Sequence, residues 1–279
     1  MTPGILLAPG WSHNPTVAAA MQAKTEGING NFDCVTYLDI STDAEEDGAE
    51  VYTDVRTAKE ALGATSPHAA ALWPMGAVGD KVYYLSALFA ALTAYTDASN
   101  SDVPYESPSN KDLKITSTVL KDGTEVLLDQ QQANDLLNAN GVITAINANG
   151  YKAWGNNTAA YPSTSDPKDR WLAVRRFFDW DGNNFILTYF QKVDKPGNTR
   201  LIQSIVDSQN IIGNGYVARG YCAGYRTEFK SDENPITNLL DGHLTVHTYL
   251  APYIPAEYIE NIREYDTEAL EAALTGGGE

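Results

Sequence analysis

The chain has 279 residues, with 19 Lys and Arg against 36 Asp and Glu, giving a formal net charge of -17. That excess of negative charge repels phosphate backbones and anionic bilayers, which argues against direct nucleic-acid binding and against membrane insertion. The length permits one large domain or two smaller ones, and a chain of this size buries roughly three quarters of its extended surface on folding.

In chain order, Met1-Thr2-Pro3-Gly4 has no basic stretch ahead of an apolar one and does not open a signal peptide. Residues 5–8 form a short apolar run stopped by Pro9-Gly10, the pattern of a buried strand entering a turn. Ser12 or Asn14 then caps a helix with Pro15 in its first turn, ended by Gly27 and Gly30. A second strand is predicted at 34–38, an acidic loop at 43–47, a helix near 53–62 and a third buried strand at 70–73. Strand and helix alternating at this spacing predict a parallel or mixed sheet with helices on both faces. The apolar segment 82–95 is too short to span a bilayer and reads as a core helix.

Further on, a strand at 114–119, a helix ending at Asn140 and a strand at 142–146 are expected to extend that sheet, with Gly141 as a left-handed cap. The turn-rich segment 147–167 marks a domain boundary, dividing the chain into 1–160 and 161–279. Beyond it, 170–190 and 198–212 lead into helices around Pro196-Gly197, and 216–225 and 244–250 have the β-branched, alternating character of strands. Residues 256–266 read as another strand with no partner in the sequence, and 275–279 as a flexible tail.

Few residues suggest chemistry. Ser12-His13 lies between a strand and a helix, where a nucleophile elbow would sit, but Asn14 replaces the required glycine and helix capping accounts for the same residues. His243 and His247 would share one face of a helix, yet the neighbouring Thr245, Val246 and Thr248 favour a strand, which separates them by roughly 13 Å. Gly213-Asn214-Gly215-Tyr216-Val217 lacks the later glycine and the following helix of a phosphate loop, and reads as a turn. Asp43, Glu45, Glu46, Asp47 and Glu50 lack the spacing of a calcium loop. Cys34 and Cys222 belong to no CxxC pair and read as two buried thiols in a reducing compartment. Nothing here calls for a cofactor, metal or catalytic residue.

Several segments, taken in order, resemble the tail sheath proteins of contractile phages and R-type bacteriocins. They are Gly4-Ile5-Leu6-Leu7-Ala8-Pro9-Gly10-Trp11-Ser12-His13-Asn14-Pro15, Ser107-Pro108-Ser109-Asn110, Leu136-Leu137-Asn138 with Gly141-Val142, Trp154-Gly155-Asn156-Asn157-Thr158, and Val174-Arg175-Arg176. Gly242-His243-Leu244, Ala251-Pro252 and Pro255-Ala256-Glu257-Tyr258-Ile259 continue the likeness. The resemblance implies an α/β fold: a subtilisin-like sheath domain without protease function at 1–160, followed by an α+β sheath C-terminal domain with a terminal arm at about 256–279. It implies a structural subunit, not an enzyme, that polymerises with itself as hexameric rings around a tail tube protein, meets baseplate and terminator proteins, and contracts. It further implies an inter-subunit arm carried by Glu257, Tyr258, Ile259, Ile262 and Tyr265, and the absence of the long N-terminal region that precedes Gly4 in family members. An α/β hydrolase-like enzyme or a surface-binding module using exposed aromatics are the competing readings.

Overall fold

The computed structural model describes residues 3–276. A short strand, β1 (Ile5–Leu7), turns into α1 (Pro15–Thr25). Asn14 caps this helix, accepting from the N–H groups of Thr16 at 2.9 Å and Val17 at 3.4 Å. Then follow β2 (Val35–Asp39), α2 (Val55–Leu62), β3 (Ala69–Leu72), a hairpin of β4 (Met75–Val78) and β5 (Lys81–Tyr83), and α3 (Leu85–Ser99). After β6 (Ser117–Val119), α4 (Gln130–Gln132) continues as irregular helix to Asn140, and β7 (Val142–Asn147) and β8 (Tyr151–Trp154) follow. The remainder comprises α5 (Pro167–Arg170), α6 (Leu172–Tyr189), α7 (Thr199–Ala218), β9 (Cys222–Glu228), α8 (Ile236–Leu240), β10 (His247–Pro252) and α9 (Thr267–Leu274).

The main sheet has the order β1-β2-β3-β7-β8, with the first four strands parallel and β8 antiparallel. Every residue of β2 and β3 is buried, because helices cover both faces, as the continuous apolar runs predict. Alternate residues supply the two cores. Leu38, Ala69, Ala71 and Val142 pack with α1 and α2 through Ala18, Val55, Ala58 and Leu62. Tyr37, Ala70, Leu72 and Ile143 pack with α3 and the start of α6 through Leu85, Phe89 and Leu172. Gly141, at φ +69°, turns the helical stretch sharply into β7. A side chain there would collide with the Tyr161 and Thr158 carbonyls at 2.3 and 2.8 Å, so the left-handed position expected from the sequence is also a close-packing position.

Several expectations are corrected. β1 is an edge strand with Leu7 40% exposed, not a buried one, because strand addition on its outer side is missing among the described residues. Residues 117–119 join β4 and β5 in a separate antiparallel sheet, not the main one, since the Gly79-Asp80 turn folds β4 back and offers β6 an edge. The turn-rich segment 147–167 contains β8, and Ala159 then donates to the carbonyl of Ala69 at 2.7 Å. Gly213-Val217 is not a turn but the last part of α7. The Tyr225 ring explains it: a Cβ on Gly213 would lie 2.0 Å from Cδ1, so the glycine lets strand β9 approach the helix. Residues 256–266 form no strand and are exposed throughout, Glu257 touching the body only through its carboxylate. Of the expected tail, residues 277–279 lie outside the described residues.

The second half is a helix pair, α6 and α7, carrying the two-stranded antiparallel sheet β9–β10. Phe177 packs with Val103, Cys222 and Tyr225 in a third cluster, so α6 enters two cores. Between them it presents Arg176, which is 7% exposed and forms a bidentate pair with Asp97 of α3. One turn on, Asp179 receives Arg175 at 3.0 Å and faces the buried His68 Nδ1 at 3.2 Å. Asn183 exchanges two hydrogen bonds with the backbone of Asp33. Cys34 and Cys222 are buried free thiols, and burial pushes that of Cys34 up to about 12.

Two outcomes are expected. Burial pulls the His68 imidazole down, but the Asp179 and Glu26 carboxylates outweigh it and Arg175, so its pKa is raised. A raised pKa gives stability that is complete below the unfolded value of about 6.5 and fades as pH rises through the folded value. Urea unfolding should therefore show the gap between wild type and His68→Gln narrowing from pH 5.5 to pH 9. Gly213→Ala would gain roughly 1 kcal/mol of helix propensity, but Tyr225 is held by Asp181 and Gln209 and cannot swing aside. Overpacking at about 1–3 kcal/mol should dominate and lower the thermal midpoint.

Candidate assembly site

The serine and histidine of the would-be elbow are separated by their partners. Ser12 is fully buried and donates to Asp39 Oδ2 at 2.9 Å while accepting from the Asp39 N–H at 3.1 Å. Asp39 also accepts from the Ser86 N–H at 2.9 Å and its hydroxyl at 2.6 Å. Tyr84 offers α3 no side-chain cap, so this carboxylate at the end of β2 caps the helix from a distance. Burial pushes the Asp39 carboxyl up, against the hydrogen bonds from Ser86 and Ser12. His13 instead reaches Glu46 at 3.5 Å and stacks on Tyr84. The group therefore fastens two loops and a helix to the sheet, and leaves Ser12 no route to a substrate.

The histidines at 243 and 247 are likewise apart in role. His243 is exposed ahead of β10, whereas His247 Nδ1 meets Glu233 at 2.8 Å and its ring lies 4.4 Å from that of Tyr249. The acidic loop is tied by Lys121 to Asp43 and Glu46.

The surface that does gather side chains from distant segments is a polar cleft of about 410 Å³ under residues 255–258. Ser107 donates to Asn156 Oδ1 at 2.6 Å, and Asn156 Nδ2 donates to Glu257 Oε1 at 3.0 Å. Arg170 donates to Asn157 Oδ1 at 3.0 Å and to Glu257 Oε2 at 3.3 Å. Its guanidinium is held over the Tyr161 and Trp171 rings, 4.5 and 4.0 Å from their centroids. Asn157 is fixed in turn by donating to the Asn138 carbonyl at 3.0 Å. Sequence reasoning quoted residues 107–110, 138 and 154–158 without giving them a role, and missed Arg170 altogether. Its signal was the Arg170-Trp171 pair beside a second aromatic, Tyr161.

Of the five expected arm residues, Glu257 alone is anchored. Tyr258, Ile259, Ile262 and Tyr265 are 81, 85, 77 and 74% exposed. Four large apolar side chains in eight residues, all in water, are unusual for a segment that has reached its final packing. The anchor itself is a partly exposed ion pair with one hydrogen bond from a neutral amide to the same carboxylate, a combination that contributes only about 1–2 kcal/mol.

The same chain also carries an open strand edge. In β9–β10, Thr227 pairs with Thr248 and Tyr225 with Leu250. The outer edge of β9 is blunted at Thr227, whose N–H and C=O are both taken by the Asn210 side chain at 2.8 Å. β10 has no strand on its outer side among the described residues. A strand with no partner strand on its outer side, and with Pro252 alone lacking an N–H, is a template for another strand.

No protein-family profile matches the chain. Its relatives include the tail sheath protein of Burkholderia phage BcepMu, 26% identical over 98% of this chain and 57% of that protein. The major tail sheath protein of Serratia phage KSP20 is 24% identical over 83% of this chain and 58% of its own length. The chain is a homologue of contractile tail sheath proteins. A third sheath homologue, a prophage major tail sheath protein of Pseudomonas aeruginosa, is 26% identical over 97% of the chain. The chain thus spans little more than half the length of the first two relatives. In fold it matches a chain of the anti-feeding prophage baseplate, with a TM-score of 0.74, 19% identity and 94% of this chain and 68% of that chain covered. It matches the sheath of an extracellular contractile injection system in the contracted state equally well, at 0.74, 21% identity and 96% and 72% coverage. The mixed α/β fold of this sheath homologue is therefore the one found in contractile sheaths.

Replacing the anchor should free the arm without touching the core. Glu257→Ala is expected to speed limited proteolysis after Tyr258 and Arg263 by roughly 5- to 30-fold, in keeping with a contact of about 1–2 kcal/mol, while the thermal midpoint moves by no more than a degree or two.

Proposed function

We propose that the chain is a structural subunit of a contractile tail sheath, which polymerises as stacked rings around an inner tail tube and contracts to drive the tube through a target envelope. The observation that carries this reading is the combination, in one homologue of sheath proteins, of a weakly held apolar arm and an unpaired strand edge. Residues 258–265 of one subunit add to the β10 edge of a neighbour, so that main-chain hydrogen bonds link the copies and Tyr258, Ile259, Ile262 and Tyr265 bury their side chains there. The bodies on either side stay free to rotate, and contraction is a rigid-body rearrangement about such links.

The partners of this reading are other copies of the chain in hexameric rings, the tail tube protein, and the baseplate and terminator proteins that end the tube. The protein resides in the phage virion, and in the bacterial host cytoplasm during assembly. The role is structural and needs no cofactor and no catalysis. The burial of Ser12 on Asp39 supports this against a hydrolase-like enzyme. The division at about residue 160, with an arm from about 256, remains the domain plan of the proposal.

Negative-stain electron microscopy of the chain expressed with its tube protein, beside a version ending at Pro255, tests it. Striated tubes from the intact chain and dispersed particles from the shortened one are expected. Dispersed monomers from both, under every salt and tube condition, would overturn the sheath reading.

A further inference from the structure

Helix α9, which follows the arm, is exposed along its whole length. Leu270 and Leu274 share one face with Ala273, at helical spacing, and are 43 and 76% exposed. Its other face carries Glu268 and Glu271, Asp266 caps its start, and no Lys or Arg follows Arg263 in the sequence. The helix is thus amphipathic, wholly acidic and unpartnered.

On the body of the molecule, the outer side of α3 exposes the complementary stripe. Leu88, Ala91, Leu92 and Tyr95 recur at i, i+3, i+4 and i+7, with Tyr95 72% exposed. They floor a groove of about 780 Å³, whose other wall is the segment 106–114 and the end of Lys152. The rim holds three cations in a chain that has only 19. Lys111 is paired with Glu106 at 2.5 Å and Lys152 with Asp112 at 2.7 Å, while Lys114, 89% exposed, only brushes Asp112 at 4.0 Å. Against the carboxylates of Glu106 and Asp112 on the same rim, the three lysines leave the groove one positive charge over an apolar floor, in a molecule of charge -17. The eight residues of α9 span about 12 Å, and the stripe from Leu88 to Tyr95 about 10 Å, so one fits along the other. Ala91 and Ala273 let the two backbones approach.

We propose that α9 of one copy docks in the α3 groove of a second copy, Leu270 and Leu274 against the apolar stripe and Glu268 and Glu271 toward Lys114 and Lys111. This is a helix in a groove, and it rests on the arm reading above, because an arm that has crossed to a neighbour delivers its helix to that neighbour. The charge pattern fixes which way the helix lies, and the apolar contact holds it.

Cysteine pairs test the two steps separately, since the native thiols are buried. Ala91→Cys and Ala273→Cys chains, mixed under assembly conditions and mildly oxidised, should give linked dimers at least tenfold above either chain alone. Lys114→Glu should cut that yield at least fivefold, and Glu271→Lys added to the helix-bearing chain should restore it. Ile259→Cys against Ala251→Cys on β10 reports the arm itself. An arm link without the 91–273 link would overturn the groove and leave the arm reading standing. Loss of both links would overturn both. Closure of the 91–273 bond within a single doubly substituted chain at high dilution, with no link between mixed chains, would assign the groove to the chain's own helix and overturn the proposal.

Discussion

The buried pair between Arg176 and Asp97 sits where helix α6 crosses from one core into another, and most of the architecture hangs on that crossing. Leu172, at the start of the helix, belongs to the core under α3, while Phe177 belongs to the cluster with Cys222 and Tyr225. Six residues of one helix thus span two hydrophobic cores, and the polar side of the same helix must be buried between them. A lone guanidinium there would cost several kcal/mol. Asp97 supplies the compensating charge, and Arg175, Asp179 and His68 form a second polar group of three one turn away. The hairpin β9–β10 is consequently carried on a rigid mount rather than on a linker.

A rigid mount and a loose arm are what strand exchange requires. The acceptor edge must be held in place before the donor arrives, since ordering both at once would cost the conformational entropy of each. The arm, by contrast, must be held weakly enough to leave. Its one anchor uses Glu257, and its apolar residues are interspersed with Glu260, Arg263, Glu264 and Asp266. Charges placed in this way restrain an exposed apolar strand from pairing indiscriminately. The net charge of -17 acts in the same direction over longer distances, since it repels one copy of the chain from another.

Much of the first half was legible because local signals and tertiary structure agree there. The Asn14 cap and Pro15, the buried runs at 35–39 and 69–72, and the left-handed turn at Gly141 each have a backbone cause that the residue type alone declares. The failures have equally local causes. The strands 75–78 and 81–83 escaped notice because Met75 to Val78 follow β3 after only Trp73-Pro74, and Val82 runs into the apolar helix without punctuation. The strand at 151–154 lies between Asn149-Gly150 and Gly155-Asn156-Asn157, which mask its alternation. Gly213 was misread because its purpose, admitting the Tyr225 ring, is set by a residue twelve positions away on another element. The Glu257 cleft was illegible for the same reason: Asn156, Arg170 and Glu257 meet only once the chain is folded.

The arm shows where the limit of a single chain lies. Its sequence has strand character, yet residues 256–266 form no strand in the isolated chain, because the hydrogen bonds and the apolar surface that would make it one are not offered by its own body. An extended segment gains a ladder only by meeting an edge, and here the open edge lies on β10 while the arm rests on the opposite segments at Asn156 and Arg170. Conformation and association are thus one equilibrium for these residues. On the strand-addition reading proposed above, the energy that fixes the arm as a strand is the energy that joins two copies, so such a link persists when the bodies on either side of it turn, and the work of contraction falls on the contacts between bodies instead.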